Sequence, residues 1–153
     1  MNALQIKEKL NSKEYDFLRL NKSLGKNIIL LTTGGSHAYG TDMPKSDLDI
    51  RGITLNSAEE ILTMNYNDKP IEDRPTDTVI YFLKQIISLL LNCNPNTIEI
   101  LGTKEEHLFI CSEEGRLLRD NADLFLSKKA AASFGGYAIA QLRRLQNALA
   151  RDS

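Results

Sequence analysis

The stretch that most restricts what this chain can fold into is residues 34–52, Gly-Gly-Ser-His-Ala-Tyr-Gly-Thr-Asp-Met-Pro-Lys-Ser-Asp-Leu-Asp-Ile-Arg-Gly. The run that feeds it, Asn27 to Thr33, is apolar and partly β-branched, and reads as a strand buried on both faces. Gly34-Gly35-Ser36 interrupts that strand, and the turn to Gly40 has room for one or two turns of helix through His37-Ala38-Tyr39. A polar loop from Thr41 to Ser46, containing Pro44, leads to a second apolar run, Leu48 to Leu55, with Asp47 and Asp49 at its entry. Alternate residues of a strand share a face, so these two carboxylates are expected on one side, about 6.5 Å apart along the chain. Free backbone N–H groups beside two acids suit a triphosphate carrying hard cations: the amides take phosphate oxygens and the acids hold the ions.

The rest of the chain supplies helices and further strands. Residues 2–21 read as helix, with Leu4, Ile6, Leu10, Phe17, Leu18 and Leu20 set among charged positions, and Asn11 with Glu14 as a capping box for a second piece. Ser57 and Glu60 form another capping box ahead of a short helix to about Met64. Asn65 to Thr76, with Pro70 and Pro75, reads as a loop. Asp77 to Tyr81 reads as a third strand running into a helix over Phe82 to Leu91. Asn92 to Asn96 is a turn, and Thr97 to Leu101 is a short strand or a helical turn. From Glu113 onward the pattern is helical, with Ser127 as N-cap of a long helix through Ala148.

These elements predict an α+β (α/β-like) fold, a small mixed β-sheet flanked by helices, with a core over 1–112 and a C-terminal helical segment over 113–153. The last helix keeps an apolar stripe to the end of the sequence. A stripe of that kind needs covering, so the segment is expected to open a truncated helical region and the chain to be a fragment.

At 153 residues the length is that of one domain. A net charge of −1 gives no global basic field, so nucleic-acid binding would rest on a local patch. Lys128, Lys129, Arg143 and Arg144 offer one on the last helix, although the wet face of a helix is the ordinary reading of such residues. Cys93 and Cys111 lack metal-ligand spacing and read as reduced thiols of a cytoplasmic protein. The longest apolar stretch, Ile86 to Leu91, is interrupted by Ser88 and is too short to span a membrane.

Gly35-Ser36, Gly40 and Asp47-Leu48-Asp49 at their spacing resemble the signature of the DNA polymerase β-like nucleotidyltransferase superfamily. The longer strings 35–40 and 46–52, with Asn94-Pro95-Asn96 and Glu99-Ile100-Leu101, resemble more narrowly a bacterial and phage group of nucleotidyltransferases, some of them labelled RNA-repair polymerase-β-like. The resemblance implies that 1–112 is a nucleotidyltransferase catalytic core. That core would move a nucleoside monophosphate from an NTP, ATP first, to an acceptor hydroxyl and release pyrophosphate. It gives Gly35 and Ser36, with Gly40 in the same turn, contact to the nucleotide's phosphates. Asp47 and Asp49 then bind two divalent ions, Mg²⁺ or alternatively Mn²⁺.

A third carboxylate is expected from a neighbouring strand. Asp77 is the first choice, as base or metal ligand, with Glu99 the competitor and Asp73 less suited in its proline-bracketed loop. Arg51, two residues past Asp49 on the same strand face, can pair with a triphosphate or with the aspartates themselves. His37 is expected as a packed imidazole and Asp42 as a solvated acid. Phe134 and Tyr137 are expected in core packing, with stacking on a base the alternative. Gly135-Gly136, each costing about 1 kcal/mol relative to alanine in a helix, imply close helix packing or a kink. The acceptor stays open between RNA, a protein hydroxyl and a small molecule. The competing reading is a catalytically silent nucleotide-binding or antitoxin-like partner module of the same fold.

Overall fold

A computed structural model describes residues 1–43, 46–67 and 69–151; Pro44 of the expected 41–46 loop lies outside the described residues. Its centre is a five-stranded sheet built from β1 (Ile28–Thr33), β2 (Ile50–Thr54), β3 (Ile71–Asp73), β4 (Thr78–Phe82) and β5 (Leu108–Cys111), in the order β3-β4-β2-β1-β5. β1 runs antiparallel to both β2 and β5, and β3 antiparallel to β4, while β2 and β4 are parallel. The sheet is therefore mixed and the class α+β, as the sequence predicts. Every residue of β1 is buried, which is what an apolar strand with neighbours on both edges and layers on both faces requires.

Two strands depart from the sequence reading. β3 falls inside the expected loop 65–76, and β5 falls in a stretch to which the sequence assigned no element. Both are edge strands of three and four residues, too short to show a period of their own. Pairing fixes them: Ile71 lies opposite Ile80 and Asp73 opposite Thr78, while Leu30 and Leu31 of β1 face Cys111 and Ile110.

Helices cover both faces. On one side, α1 (Ala3–Leu10), a 3-10 turn over Lys13–Tyr15 and α2 (Phe17–Leu20) bring Ile6, Leu10, Tyr15 and Leu18 onto Ile28, Leu31, Ile50 and Ile80. The expected 2–21 helix is thus broken. Its capping box is Asn2 with Gln5, whose side chains and amides exchange two 2.9 Å hydrogen bonds, while Asn11 closes α1 instead of opening a second helix. On the other side, α5 (Leu83–Leu91), α6 (Pro95–Gly102) and α7 (Glu113–Asp120) cover Ile29, Leu30 and Ile53. Thr97 to Leu101 is helical, because Pro95 occupies the first turn of α6. α3 (Gly35–Tyr39) carries the glycine turn, and α4 (Ala58–Thr63) starts at the Ser57–Glu60 capping box read from the sequence.

α7 is tied to α6 by one side chain. Arg119 donates at 2.7 Å to the carbonyls of both Leu101 and Thr103, terminal groups that an α-helix leaves without partners. Arg119→Met should cost about 2 kcal/mol, because it strips charge-assisted donors from two part-buried carbonyls. Urea unfolding measures it, and a midpoint equal to wild type would contradict it.

α8 (Lys129–Arg151) closes the chain. Ser127, two residues ahead of the first helical residue, accepts from the Lys129 amide at 3.3 Å. Phe134 and Tyr137 are 37% and 39% exposed rather than packed in the core, and a side chain at Gly135 or Gly136 would meet nothing within 4 Å. The close packing expected at these glycines is therefore absent. Among the described residues no helix is long and apolar enough to cross a membrane.

Candidate active site

The site grows out of the end of β1. Gly34 donates its amide to the Asp49 carbonyl at 2.9 Å, which stitches the glycine turn to the chain entering β2. Gly35 then takes φ +54° and starts α3, whose opening turn leaves amides without intrahelical partners. Gly40, at φ +68°, ends the helix in the left-handed region and returns its amide to His37 and Ser36. The Asp49 carboxylate lies so close to Gly35 that a Cβ there would overlap Oδ2.

β2 begins at Ile50, two residues later than the sequence reading, so Asp47 and Asp49 stand on an extended lead-in rather than in the strand. Buried Leu48 between them anchors that lead-in among Ile6, Leu10 and Ile80. Asp47 is exposed and Asp49 half-buried. The parallel register sets Ile50 beside Thr78, and this places the preceding residue of each strand, Asp49 and Asp77, side by side. Asp77 holds φ +45° and takes the Ile50 amide on its carbonyl at 3.1 Å.

Arg51 joins the two acids. Its Nη2 is 3.2 Å from Oδ1 of Asp49 and 3.2 Å from Oδ1 of Asp77, while Nη1 donates to the carbonyls of Asp77 at 2.6 Å and Ile50 at 2.9 Å. These aspartate contacts are one of the two alternatives that the sequence leaves open for Arg51. Burial pushes the Asp49 carboxyl above its ordinary range, helped by a hydrogen bond with Asp77 and the negative charges of Asp77 and Asp47; the Arg51 charge works against the rise.

A cleft of about 300 Å³ opens above this edge. Gly34, Gly35, Asp49 and Arg51 line it together with Tyr39, Glu99 and Tyr137. Alternation along β4 buries Thr78, Ile80 and Phe82 and sends Val79 and Tyr81 to the cleft. The sequence points to Tyr81 only as the end of a strand, although period-2 alternation through Asp77–Tyr81 puts it on the face of Asp77 and Val79.

The expected residues separate as follows. Asp77 comes to Asp49, whereas Glu99, on α6, hydrogen-bonds Tyr39 in the cleft; burial first and then that carboxylate push the Tyr39 phenol up. Ser36 and Gly40 belong to the turn but do not line the cleft. Asp47 faces a second, polar cleft that it shares with Asp77. Asp73 accepts from the Thr76 hydroxyl at 2.7 Å and amide at 3.2 Å, holding the turn ahead of β4. His37 is buried, as expected, and Asp42 takes the N-terminal amino group at 2.9 Å instead of standing free in solvent.

Asp49 and Asp77 aim oxygens at one cationic nitrogen, and carboxylate oxygens are the donors that hard divalent ions take. The pair therefore fits a cation at the place where Arg51 now supplies the charge. Among the described residues no three acidic, His or Cys side chains converge on a single point, which leaves Asp47 beside the pair rather than within it.

The model of the RNA repair pathway DNA polymerase beta family matches residues 8–151. A protein of Enterobacteria phage T4, described as an uncharacterized 38.9 kDa protein in the nrdC-mobD intergenic region, is 29% identical over 134 residues, 71% of this chain and 40% of the phage protein. The chain thus spans less than half the length of that relative. No solved structure matches it. The family match covers the glycine turn, the aspartates, the whole sheet and α8, and the chain belongs to the RNA repair pathway DNA polymerase beta family, a polymerase β-like nucleotidyltransferase family.

Proposed function

We propose that the chain moves a nucleoside monophosphate from an NTP, ATP being the first to test, onto an acceptor hydroxyl. The observation that carries this reading is the contact of Gly35 with Asp49: a phosphate-accepting turn and a carboxylate held so close that no side chain fits between them. The open amides at the start of α3 take the terminal phosphates, and the side chains of Tyr39, Tyr81 and Tyr137 give the cleft surfaces on which a base can rest. Divalent metal, Mg²⁺ or Mn²⁺, would be held by Asp49 and Asp77 with Asp47 beside them, and when bound supplies charge neutralisation at the attacking and leaving oxygens.

Asp77, 54% exposed and bordering the second cleft, takes the proton of the attacking hydroxyl. The acceptor oxygen then forms its bond to the α-phosphorus while the bond to the bridging oxygen breaks and pyrophosphate leaves. Arg51 keeps Asp49 and Asp77 together between turnovers.

The test combines labelled ATP, divalent metal and candidate acceptors with calorimetry of Mg·ATP. Asp47→Asn with Asp49→Asn should weaken Mg·ATP binding by at least about tenfold and remove label transfer. A double variant that binds Mg·ATP as tightly as wild type would overturn the assignment.

A further inference from the structure

The second cleft is bordered by Asp47 and Asp77 and is separate from the one that Gly34, Gly35 and Asp49 line. It measures about 330 Å³ and is bounded by Lys9, Tyr15, Asp47, Arg74 and Asp77. Two observations mark it as built. Tyr15 is fully buried and stacked on Phe17, with ring centroids 6.2 Å apart, yet its hydroxyl has no hydrogen-bond partner among the described residues. A buried hydroxyl without a partner is destabilising, so a fold that keeps one is expected to use it. Arg74 is exposed and forms no ion pair among the described residues; of the other charges around the cleft, Lys9 pairs with Glu14 at 3.9 Å and Asp77 with Arg51 at 3.2 Å, while Asp47 also has no ion pair among the described residues.

We propose that this cleft is the acceptor subsite and takes a hydroxyl-bearing phosphate ester, its phosphate on Arg74 and its sugar on the Tyr15 hydroxyl, with the acceptor hydroxyl turned toward Asp77. The inference rests on the transfer reaction proposed above. It follows from position: Asp49 borders the nucleotide cleft, Asp77 borders this one, and the two acids are joined through Arg51. An acceptor here meets the acids from a cleft separate from the nucleotide's, and an in-line displacement sets attacking and leaving oxygens apart. The Tyr15 phenol, pushed up to about 12 by burial and then by Glu14, Asp73 and Asp77, stays protonated and donates. The ester can be the end of a polynucleotide or a free sugar phosphate.

Binding of a fluorescein-labelled single-stranded oligoribonucleotide ending in a 3′ hydroxyl is read by anisotropy, and binding of ribose 5-phosphate by calorimetry, for wild type, Arg74→Ala and Tyr15→Phe. The probe that wild type binds identifies the source of the ester. For that probe, Arg74→Ala should raise Kd by about tenfold or more and Tyr15→Phe by about threefold to tenfold, with Mg·ATP binding unchanged in both. Tyr15→Phe should also raise Tm by about 2–4 °C, because it removes a buried unpartnered hydroxyl and leaves the ring in place. A purely packing role for Tyr15 would leave acceptor binding untouched. Wild type binding neither probe, or both variants binding like wild type, overturns the subsite; loss of Mg·ATP binding sensitivity to the aspartates instead overturns the nucleotide site.

Discussion

Gly35→Ala is expected to abolish nucleotidyl transfer, by a factor on the order of 10² to 10³, in a chain that still folds. Two effects act together. At φ +54° an L side chain is strained by about 1 kcal/mol, and the new methyl would overlap Oδ2 of Asp49. The strain alone is tolerable for a domain of this size, since the sheet and its two apolar layers do not depend on the turn. The overlap is not, because Asp49 can yield only by swinging away from Arg51 and Asp77, and displacements near 1 Å at a reacting centre cost about 10²-fold. Gly40→Ala separates the two contributions. Gly40 has φ +68°, but a methyl group there would meet nothing within 4 Å, so its substitution should cost about 1 kcal/mol of stability and leave Mg·ATP binding intact. Urea midpoints and Mg·ATP calorimetry on the pair decide the matter: equal losses of binding in both variants would show that strain, not the contact with Asp49, is what matters at this turn.

The contrast between these glycines shows what was legible in the sequence. The strand–turn–acid order of residues 27–52 was readable because each step is local: a buried apolar run, glycines where φ turns positive, acids at a strand entry. So were the Ser57–Glu60 cap, the β4-to-α5 passage and the helical C-terminus. What the sequence could not supply depends on partners distant along the chain. β3 and β5 exist because β4 and β1 offer them unpaired edges, and nothing in Ile71-Glu72-Asp73 alone announces a strand. The pairing of Asp49 with Asp77 follows from the Ile50–Thr78 register across 28 residues. Tyr15 reads from the sequence only as part of a helical segment; its unpartnered hydroxyl becomes visible once Phe17, Ile50 and Ile80 close around the ring. The amphipathic pattern of α8 was visible, but Tyr137 reaching the nucleotide cleft was not, since a helical period says which residues share a face and not what that face meets.

Asp49→Asn is expected to make the metal-free protein more stable at neutral pH while lowering transfer by a factor on the order of 10³, the equivalent of several kcal/mol of lost charge stabilisation. The sign follows from the direction of the Asp49 shift. Its carboxyl is raised in the folded chain, chiefly by burial and then by its hydrogen bond with Asp77, so folding favours the protonated form. That contribution is fully present below the ordinary Asp value, about 3.9, and is lost as pH climbs through the raised folded value. Above it the ionised carboxylate, set beside Asp77 and Asp47, works against the native state, and Arg51 offsets only part of that repulsion. Asparagine has the same shape and no charge, so Tm of the variant should exceed that of wild type at pH 7 and converge with it near pH 4. Added Mg²⁺ should reverse the order, raising the wild-type Tm by mass action and leaving the variant where it was. Thermal melts at both pH values, with and without Mg²⁺, read all four quantities. A variant less stable than wild type at pH 7 without metal would mean that the Arg51 pair outweighs the crowding of the acids; equal Mg²⁺ responses would mean that Asp49 holds no metal.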